Sequence, residues 1–364
     1  MRFGKYSDNY ESTTLENATS YFKSGKTFSK KLSDYGVFPV FGGNGIRGYS
    51  DEYNFDGNYI LIGRQGALCG NIKRYNGKFY ATEHAVVVKS TEDTDYLFYL
   101  LQHMDLGQYS GQSAQPGLAV NKLIKLICKM PSSEEQYKIG KFLRLIDNRI
   151  DTQSKIIEDL ELCKKKICYE IFSAKESYIK PLGSIISYGK AGGTPASTNK
   201  SYYNGNIPFL SISDMTEQGK YILKTEKTLS ELGLKNSSAW LVPKNSLILS
   251  MYASVGFVSI SKVELATSQA MFSMIIEDKN LLEYVYYYLN YFKSFKIHRL
   301  LETGTQSNIN AEMVKNLNIP FFDQTKNLLI TQFFNNLDLK IKKEKDILEL
   351  YKKQKAYLLK NMFI

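Results

Sequence analysis

A stretch that occurs twice decides how this chain folds: IGKFLRLIDNRIDTQSKIIEDLELCKKKICYEI at residues 139–171 and ITQFFNNLDLKIKKEKDILELYKKQKAYLLKNM at residues 330–362. In each copy apolar residues recur at alternating steps of four and three, and an offset of 191 residues brings one copy onto the other. This spacing is typical of a coiled-coil helix. The predicted seam residues are Ile139, Leu143, Ile146, Ile150, Gln153, Ile157, Leu160, Lys164 and Ile167 in the first copy, and Ile330, Phe334, Leu337, Ile341, Glu344, Leu348, Tyr351, Lys355 and Leu358 in the second.

Both copies interrupt the apolar seam at the same two layers, with Gln153 and Lys164 in the first and Glu344 and Lys355 in the second. Neither copy contains a proline, or a glycine after Gly140, so no strong helix breaker interrupts either one. The shared interruptions favour two related helices over two unrelated amphipathic ones. We therefore predict long helices in residues 132–177 and 323–364 that pair as an antiparallel coiled coil.

The polar seam residues also predict a register for the pair. A pairing in which residue numbers sum to 508 sets Lys164 against Glu344 and Gln153 against Lys355, so that no charge faces hydrocarbon alone. Sliding by one heptad, to a sum of 501, overlaps the helices more fully but sets Gln153 on Leu348. The first pairing is favoured because every polar seam residue then meets a polar partner.

Composition limits the classes of function. The net charge of +11 is spread along the chain: +3 in residues 1–131, zero in 132–177, +4 in 178–322 and +4 in 323–364. This distribution suits a long polyanion that is contacted at several places, although a generally lysine-rich composition explains part of it. The four cysteines show no CxxC or zinc spacing, and no apolar run approaches about 18 residues. We expect a cytoplasmic protein with reduced thiols, no bound metal and no membrane span.

The segments before the two helices also repeat one order. Residues 1–131 and 178–322 each contain a short opening patch, a glycine-rich segment, buried strands, a helix, a polar loop and a last strand. In the first segment we expect the opening patch, residues 15–22, to be helical and residues 42–48 to be a loop. The chain is therefore predicted to be a tandem duplication of one globule with one long helix.

Two short motifs raise the alternative of a self-contained adenine methyltransferase. Residues 41–45, FGGNG, fit the FxGxG pattern of S-adenosylmethionine sites, but the predicted context of a strand and a directly following helix is missing. The sequence NIPF at residues 206–209 and 318–321 lacks the first proline of the catalytic (N/D)PP(Y/F) motif. Prolines at strand edges explain both NIPF copies.

Taken in order, the motifs resemble those of the specificity subunits of type I restriction–modification systems. In the second half the resemblance rests on GGTP at 192–195, YNGNIPF at 203–209, LVP at 241–243, TSQ at 267–269 and GTQ at 304–306. In the first half it rests on SGK at 24–26, residues 37–48, ILIGR at 60–64, and Pro131 followed by EQ and a helical pattern. One departure is Lys326-Asn327 in place of Glu-Gln, with about two extra residues after Pro320.

The resemblance implies a non-catalytic α+β protein. Residues 1–131 and 178–322 would be two target recognition domains, each a mixed α/β unit with a curved, mainly antiparallel sheet. They would be joined by the antiparallel coil in a pseudo-two-fold tandem repeat and would read the two halves of an asymmetric double-stranded DNA site. The implied partners are two modification subunits, which bring S-adenosylmethionine and methylate adenine, and restriction subunits, which use ATP and Mg²⁺.

Candidate DNA contacts lie on the matched loops. Arginine can pair bidentately with guanine or bind phosphate, lysine can bind phosphate, and amide, hydroxyl and tyrosine side chains can contact bases or the backbone. A coiled-coil scaffold without DNA readout remains the other alternative. The candidates are Arg47, Arg64 and Arg74; Lys26, Lys190 and Lys200; and Gln112, Gln115, Thr194, Tyr202, Tyr203, Gln269, Gln306, Asn308 and Asn310.

Overall fold

The structure is a computed structural model that describes residue 6 and residues 10–66, 68–111, 117–174, 178–252, 254–298 and 308–363. The chain divides into two compact units: unit 1 is Met1–Lys155 with Glu344–Ile364, and unit 2 is Ile156–Lys343. Each unit thus combines one globule with a part of both long helices. The domain boundaries after residues 131, 177 and 322, which follow the sequence repeat, stay a prediction.

The globule of unit 1 is built on a six-stranded sheet with the strand order β2-β7-β5-β6-β3-β4. Its neighbours are antiparallel except for β3 and β6, which are parallel, and β1 pairs separately with β8. The elements are β1 (Glu11–Thr14), β2 (Thr19–Ser24), β3 (Phe38–Gly42), β4 (Gly45–Ser50), β5 (Phe55–Gly63), β6 (Ile72–Ala81), β7 (Ala85–Ser90), α1 (Thr94–His103), a 3₁₀ turn (Leu106–Tyr109), α2 (Val120–Leu123), β8 (Ile127–Met130) and the long helix α3 (Ser133–Phe172).

Unit 2 distributes its strands over a five-stranded sheet, β10-β17-β14-β15-β12, a three-stranded sheet, β13-β11-β16, and the pair β18-β9. The predicted mixed α+β class is confirmed. The elements are β9 (Tyr178–Pro181), a 3₁₀ turn (Leu182–Ser184), β10 (Tyr188–Ala191), a 3₁₀ turn (Lys200–Tyr202), β11 (Tyr203–Leu210), α4 (Ile212–Gln218), β12 (Tyr221–Ile222), β13 (Lys227–Leu229), α5 (Glu231–Lys235), β14 (Leu247–Ser250), β15 (Val258–Ser261), β16 (Ala266–Thr267), β17 (Met271–Ile275), α6 (Lys279–Phe295), α7 (Ala311–Lys315), β18 (Asn318–Phe321) and α8 (Gln324–Met362).

The central strands of unit 1 are buried on both faces, which explains their nearly continuous apolar sequence. Because side chains alternate along a strand, Ile60 and Ile62 of β5 join the core that includes α1, whereas Leu61 points to the opposite face. That opposite face holds a cluster with Phe41 and Phe79, whose ring centroids lie 5.6 Å apart. The sheet of unit 1 is therefore held by two apolar cores.

The backbone hydrogen bonds confirm the predicted tandem repeat. In unit 1 the amide of Leu15 donates to the carbonyl of Leu126, and in unit 2 the amide of Leu182 donates to that of Leu317. The offset is 167 residues for the donors and 191 for the acceptors, the same 191 that relates the long helices. The pairings β1–β8 and β9–β18 obey the same two offsets. The two globules therefore share their connectivity as well as the order of their elements.

In each unit the segments of α3 and α8 run antiparallel, which confirms the predicted direction. In unit 1 an Asp147 carboxylate oxygen lies 2.7 Å from Lys355 Nζ, and Gln153 Nε2 donates to Glu344 Oε2 at 2.5 Å. In unit 2 Lys164 pairs with Asp338, and the ring of Phe172 stacks on that of Phe334 at 6.3 Å. All of the seam residues named above are buried or half-buried.

The favoured register is wrong. Glu344 meets Gln153 instead of Lys164, and the residue numbers of both lysine–aspartate pairs sum to 502, one residue from the alternative pairing at 501. The physical reason is the length of the lysine side chain. Each lysine reaches an aspartate that directly follows a seam residue of the opposite helix, so neither lysine needs a polar partner within the seam.

Two local predictions are also wrong. Residues 15–22 are the turn between β1 and β2 followed by β2, and residues 42–48 are a hairpin tip that continues into β4. Residues 19–22 pair with the distant strand β7, which overrides their local helical pattern, whereas residues 45–48 pair with the adjacent strand β3. The apparent two-residue insertion before α8 does not exist either. Gln136 Nε2 donates to the carbonyl of Pro131, and Asn327 Nδ2 donates to the carbonyl of Phe322, so Pro131 corresponds to Phe322 and not to Pro320.

Candidate nucleic-acid interface

Four loops of unit 1 converge at one edge of its sheet. The amides of Gly25 and Lys26 donate to the carbonyls of Ala85 and Ala81, and the amide of Arg64 donates to that of His84 at 2.9 Å. We define the unit 1 edge as residues 24–26, 42–45, 64–66 and 82–84. Backbone hydrogen bonds fix these loops to one another, so their side chains share one surface.

Glycines allow this close assembly. A β-carbon added at Gly63 would overlap the carbonyl oxygen of Gly43, and one added at Gly43 would lie 2.7 Å from the carbonyl oxygen of Gln65. Gly45, at the hairpin tip, has a φ of 100°, which only glycine adopts without strain. The glycine-rich segment therefore serves backbone packing, and it is followed by the strand β4 instead of the helix that a cofactor-binding glycine motif requires.

Unit 2 builds the same edge from equivalent residues. The amides of Gly192 and Gly193 donate to the carbonyls of Met271 and Thr267, and the amide of Met251 donates to that of Ala270 at 2.7 Å. We define the unit 2 edge as residues 190–195, 200–203, 251–252 and 267–270. The acceptors are four residues apart in both units, and a β-carbon at Gly192 would overlap the Thr267 carbonyl.

The candidate residues of unit 1 separate into two groups. Lys26 and Arg47 are exposed, and the Arg47 side chain crosses over Gly42 at the hairpin tip. Arg64 is half-buried: its Nε donates to the Leu118 carbonyl at 3.1 Å and its guanidinium also donates to the Ser24 hydroxyl. Lys26 and Arg47 thus present their charges to solvent, whereas Arg64 holds two loops together.

Arg74 has intramolecular partners. Its guanidinium lies 2.7 Å from a carboxylate oxygen of Asp95 in α1 and 3.7 Å from one of Asp147 in α3. Its carbon Cζ also lies 4.8 Å from the centre of the Phe98 ring. Arg74 lies outside the unit 1 edge and is therefore not part of the proposed interface. That Arg74 contacts DNA stays a prediction.

In unit 2 the edge joins residues that the sequence places far apart. The Thr194 hydroxyl donates to Gln269 Oε1 at 2.5 Å, and the Tyr203 hydroxyl donates to the Pro195 carbonyl at 2.7 Å. Both Thr194 and Gln269 are exposed. Lys190 and Lys200 are exposed as well, and Tyr202 is half-buried.

The remaining candidates belong to two polar segments of the sequence, residues 107–117 and 303–310. The Asn310 side chain accepts from the amide of Met313 and caps α7, and Asn308 is half-buried. Gln112, Gln115 and Gln306 lie outside the described residues. Helix capping therefore accounts for an asparagine at position 310 without any contact to DNA.

The sequence interpretation missed two residues of the unit 1 edge, Glu83 and His84. The amide of Ala85 donates to the Thr82 carbonyl, as the amide of Met271 does to that of Ser268. Glu83 therefore occupies the position of Gln269. The motif Thr267-Ser268-Gln269 was the available signal, but its counterpart Ala81-Thr82-Glu83 is identical to it at no position and is found only through the hydrogen bonds.

A second duplicated arrangement attaches each globule to the long helices. We define the anchor cluster of unit 1 by Arg74, Asp95, Tyr99, Asp147 and Lys355. The Tyr99 hydroxyl donates to Asp147 Oδ2 at 2.6 Å, and burial, with this hydrogen bond and the aspartate charge, raises the pKa of Tyr99. The cluster therefore links the sheet, α1 and both long helices.

The anchor cluster of unit 2 consists of Lys220, Glu283, Tyr287, Asp338 and Lys164, and repeats this chemistry. The Tyr287 hydroxyl donates to Asp338 Oδ2 at 2.7 Å, and Lys220 Nζ lies 3.7 Å from Glu283. Burial by itself raises the pKa of Glu283. The hydrogen bond from Asn335, the Lys220 charge and the hydrogen bond from Tyr221 outweigh burial and hold this pKa below its ordinary value.

Two further properties bear on the function. Within the described ranges, no cluster of three or more histidine, cysteine, aspartate or glutamate residues has an arrangement that could hold a metal ion. None of the helices in the described ranges combines the length and the apolar character that crossing a membrane requires.

Sequence relatives are specificity subunits of type I restriction enzymes. The EcoprrI specificity subunit of Escherichia coli is 44% identical over 148 residues, which are 38% of this chain and 37% of that protein. The MjaIX specificity subunit of Methanocaldococcus jannaschii is 29% identical over 194 residues, 51% of this chain and 43% of that protein. The alignments thus span less than half the length of these two relatives.

The structural match to solved proteins covers almost the whole chain. The S subunit of a type I restriction–modification system from M. genitalium superimposes with a TM-score of 0.65 at 15% identity, and the match covers 98% of this chain and 96% of that one. A chain from a structure of the type I R-M system, described in terms of complex assembly and conformational transition, superimposes with a TM-score of 0.60 at 13% identity. That match covers 97% of this chain and 97% of the other. The family model of the type I restriction modification DNA specificity domain matches residues 8–162 and 175–352, and the protein therefore belongs to that family.

Proposed function

We propose that this protein is the sequence-specific DNA-binding subunit of a type I restriction–modification complex, in which each globule reads one half of a bipartite, asymmetric site. The observation that carries the proposal is the edge that is built twice from equivalent backbone hydrogen bonds but with different side chains. Equivalent scaffolds would place each reader in the same way on DNA. Different side chains on the two scaffolds would read different bases.

The chemistry of the two edges supports DNA as the ligand. Exposed Lys26 and Arg47 in unit 1, and exposed Lys190 and Lys200 in unit 2, can neutralise phosphates. Thr194 and Gln269 supply hydroxyl and amide groups of the kind that contact base edges in the major groove. The net charge of +11 favours approach to DNA as well.

The reaction steps would belong to partner subunits. In this proposal two modification subunits bind S-adenosylmethionine and methylate adenine, and restriction subunits use ATP and Mg²⁺ to cleave DNA. This chain would act in the cytoplasm, without a catalytic residue or a cofactor of its own. This assignment agrees with the described residues, whose polar clusters either stabilise the fold or lie on the two edges.

The test is to map methylated adenines in genomic DNA after co-expression of the chain with its modification subunits. We expect one interrupted motif whose two halves differ. Methylation by the purified chain alone would favour the self-contained methyltransferase, and DNA binding by the complex without sequence preference would favour the scaffold. Either outcome would overturn the proposal.

A salt titration tests the phosphate contacts. We expect Lys190→Ala to weaken binding of the complex to every DNA sequence by a similar factor. It should also reduce the slope of log K against log salt by about 1, because one fewer counterion is released. Lys342→Ala, which removes an exposed charge on α8 away from the edges, is the matched control. Equal slopes for the two variants would exclude Lys190 from the interface.

A further inference from the structure

One acidic residue stands on the unit 1 edge. The four loops contain Ser24-Gly25-Lys26, Gly42-Gly43-Asn44-Gly45, Arg64-Gln65-Gly66 and Thr82-Glu83-His84, and Glu83 is the one carboxylate among these described residues. Its side chain is 38% exposed, and Oε1 lies 3.5 Å from Nε2 of His84. A carboxylate facing the DNA backbone would repel phosphate, so Glu83 is an unexpected residue on a phosphate-binding surface.

The hydrogen bonds give this residue an exact counterpart in unit 2. The amide of Ala85 bonds back to Thr82, and that of Met271 bonds back to Ser268, so Glu83 and Gln269 occupy the same position in two equivalent turns. The two side chains have the same length but opposite hydrogen-bonding capacity at one terminal atom. Glutamate accepts at both oxygens, whereas glutamine also donates through its amide.

The neighbours of Gln269 orient its amide. Because the Thr194 hydroxyl donates to Oε1, the Nε2 amino group remains for a donated hydrogen bond. Gln269 therefore presents a donor on the unit 2 edge, and Glu83 presents an acceptor on the unit 1 edge. In the major groove an acceptor-only side chain suits the N4 amino group of cytosine, whereas adenine sets its N7 acceptor beside the N6 amino group and repels a carboxylate.

We propose that Glu83 is a specificity-determining residue that accepts a hydrogen bond from the N4 amino group of a cytosine in the half-site read by unit 1. This rests on the proposed function. The carboxylate contributes selectivity because a pyrimidine without an amino group, or a purine edge with acceptors, leaves it unpaired. Lys26 on this edge, and Arg47, whose side chain crosses over Gly42 of the edge, supply compensating positive charge.

The experiment uses the complex with its modification subunits and DNA duplexes that differ from the mapped site at single base pairs. We expect Glu83→Gln to weaken binding to the native site by about 5- to 150-fold, the discrimination of one good base contact. The loss should be confined to one C·G pair of one half-site. Methylome mapping should show relaxed readout at that position and an unchanged second half-site.

Two controls separate the possible outcomes. Glu16→Gln removes the same charge at an exposed turn beyond the opposite end of β2 and should leave the motif unchanged. Gln269→Glu should shift one position of the other half-site towards cytosine. An unchanged motif and unchanged binding for Glu83→Gln, or equally tightened binding to all sequences, would overturn this inference. Absence of any sequence preference in the wild-type complex would instead overturn the proposed function.

Discussion

At the scale of single residues, Lys164 and Lys355 explain why a coiled coil tolerates charge in its seam. Each ammonium pairs with an aspartate of the opposite helix, and each aspartate also accepts from a buried tyrosine of its own globule. A buried charge without a partner would cost several kcal/mol, but here each lysine has an ion pair and each aspartate also accepts a hydrogen bond. The seam lysines therefore belong to the junction between globule and helix.

Glu283 makes one of these anchor clusters sensitive to acid. Its folded pKa is below the ordinary value of 4.5, so its stabilising contribution is present above pH 4.5 and is lost as the pH falls through the folded pKa. We expect Glu283→Gln to lower the free energy of unfolding at pH 7 by about 1–3 kcal/mol, because the buried partners lose a charged acceptor.

The measurement is urea unfolding as a function of pH. The difference between wild type and Glu283→Gln should narrow as the pH falls from 4.5 through the lower folded pKa, because the unfolded chain binds the proton more readily than the native state does. Glu264→Gln, at an exposed glutamate of the same unit, is the matched control. A difference that stays constant from pH 7 to pH 3 would contradict the assignment.

The thiols on α3 offer a second residue-scale prediction. Cys163 is exposed, whereas burial raises the pKa of the Cys168 thiol to about 12. Since the thiolate is the reactive species, iodoacetamide at pH 8 should label Cys163 well before Cys168 in the folded protein. Mass spectrometry of the labelled peptides measures this order. Equal labelling rates before unfolding would show that Cys168 is not buried in solution.

At the scale of elements, α8 presents two different faces in unit 2. Phe334 is fully buried and its ring lies 4.9 Å from that of Tyr287, whereas its neighbour Phe333 is 44% exposed. A long helix can thus serve the coil and the globule core at once. Its register matters because a shift by one residue would exchange these two side chains.

The neighbouring phenylalanines provide a matched pair of variants. We expect Phe334→Ala to lower the free energy of unfolding by about 3–5 kcal/mol through lost burial and a residual cavity. Phe333→Ala should change it by no more than about 0.5 kcal/mol. Denaturant unfolding followed by circular dichroism measures both. Similar losses for the two variants would contradict the register of α8.

At the scale of the whole molecule, the repeat gives one chain two globules with the same scaffold and two sets of side chains. A helix of 40 residues, such as α3, is about 60 Å long at 1.5 Å per residue. Half-sites in successive major grooves lie about 34 Å apart. In the proposed function the length of the paired helices would therefore set the spacer between the half-sites.

This predicts the effect of a change in coil length. Inserting one heptad after Lys155 and another after Lys343 preserves the apolar pattern, because seven residues return the seam to the same face. We expect the methylated motif of the complex to change in spacer length while the bases of both half-sites stay the same. Altered half-site bases, or an unchanged spacer, would contradict the proposal that the length of the helices sets the spacer.

Part of the candidate site could be predicted from sequence, and part could not. Lys26, Thr194 and Gln269 lie in short motifs that resemble those of the family, so a local pattern finds them. Glu83 matches no motif, and its equivalence to Gln269 appears only when the backbone partners of both turns are known. The guanidinium chemistry of Arg74 favours DNA, but its partners on α1 and α3 come from distant parts of the chain, which no local pattern predicts.

The duplication, the two long helices and the residues that line their seam follow from the amino-acid sequence alone, because heptad spacing and a fixed offset are properties of local order along the chain. The register of the helices, the partners of the seam lysines and the loops that meet at each edge become known only from the folded molecule. These features depend on contacts such as Tyr99 with Asp147 and Thr194 with Gln269. Their energies arise between groups far apart in sequence, so no local pattern records them.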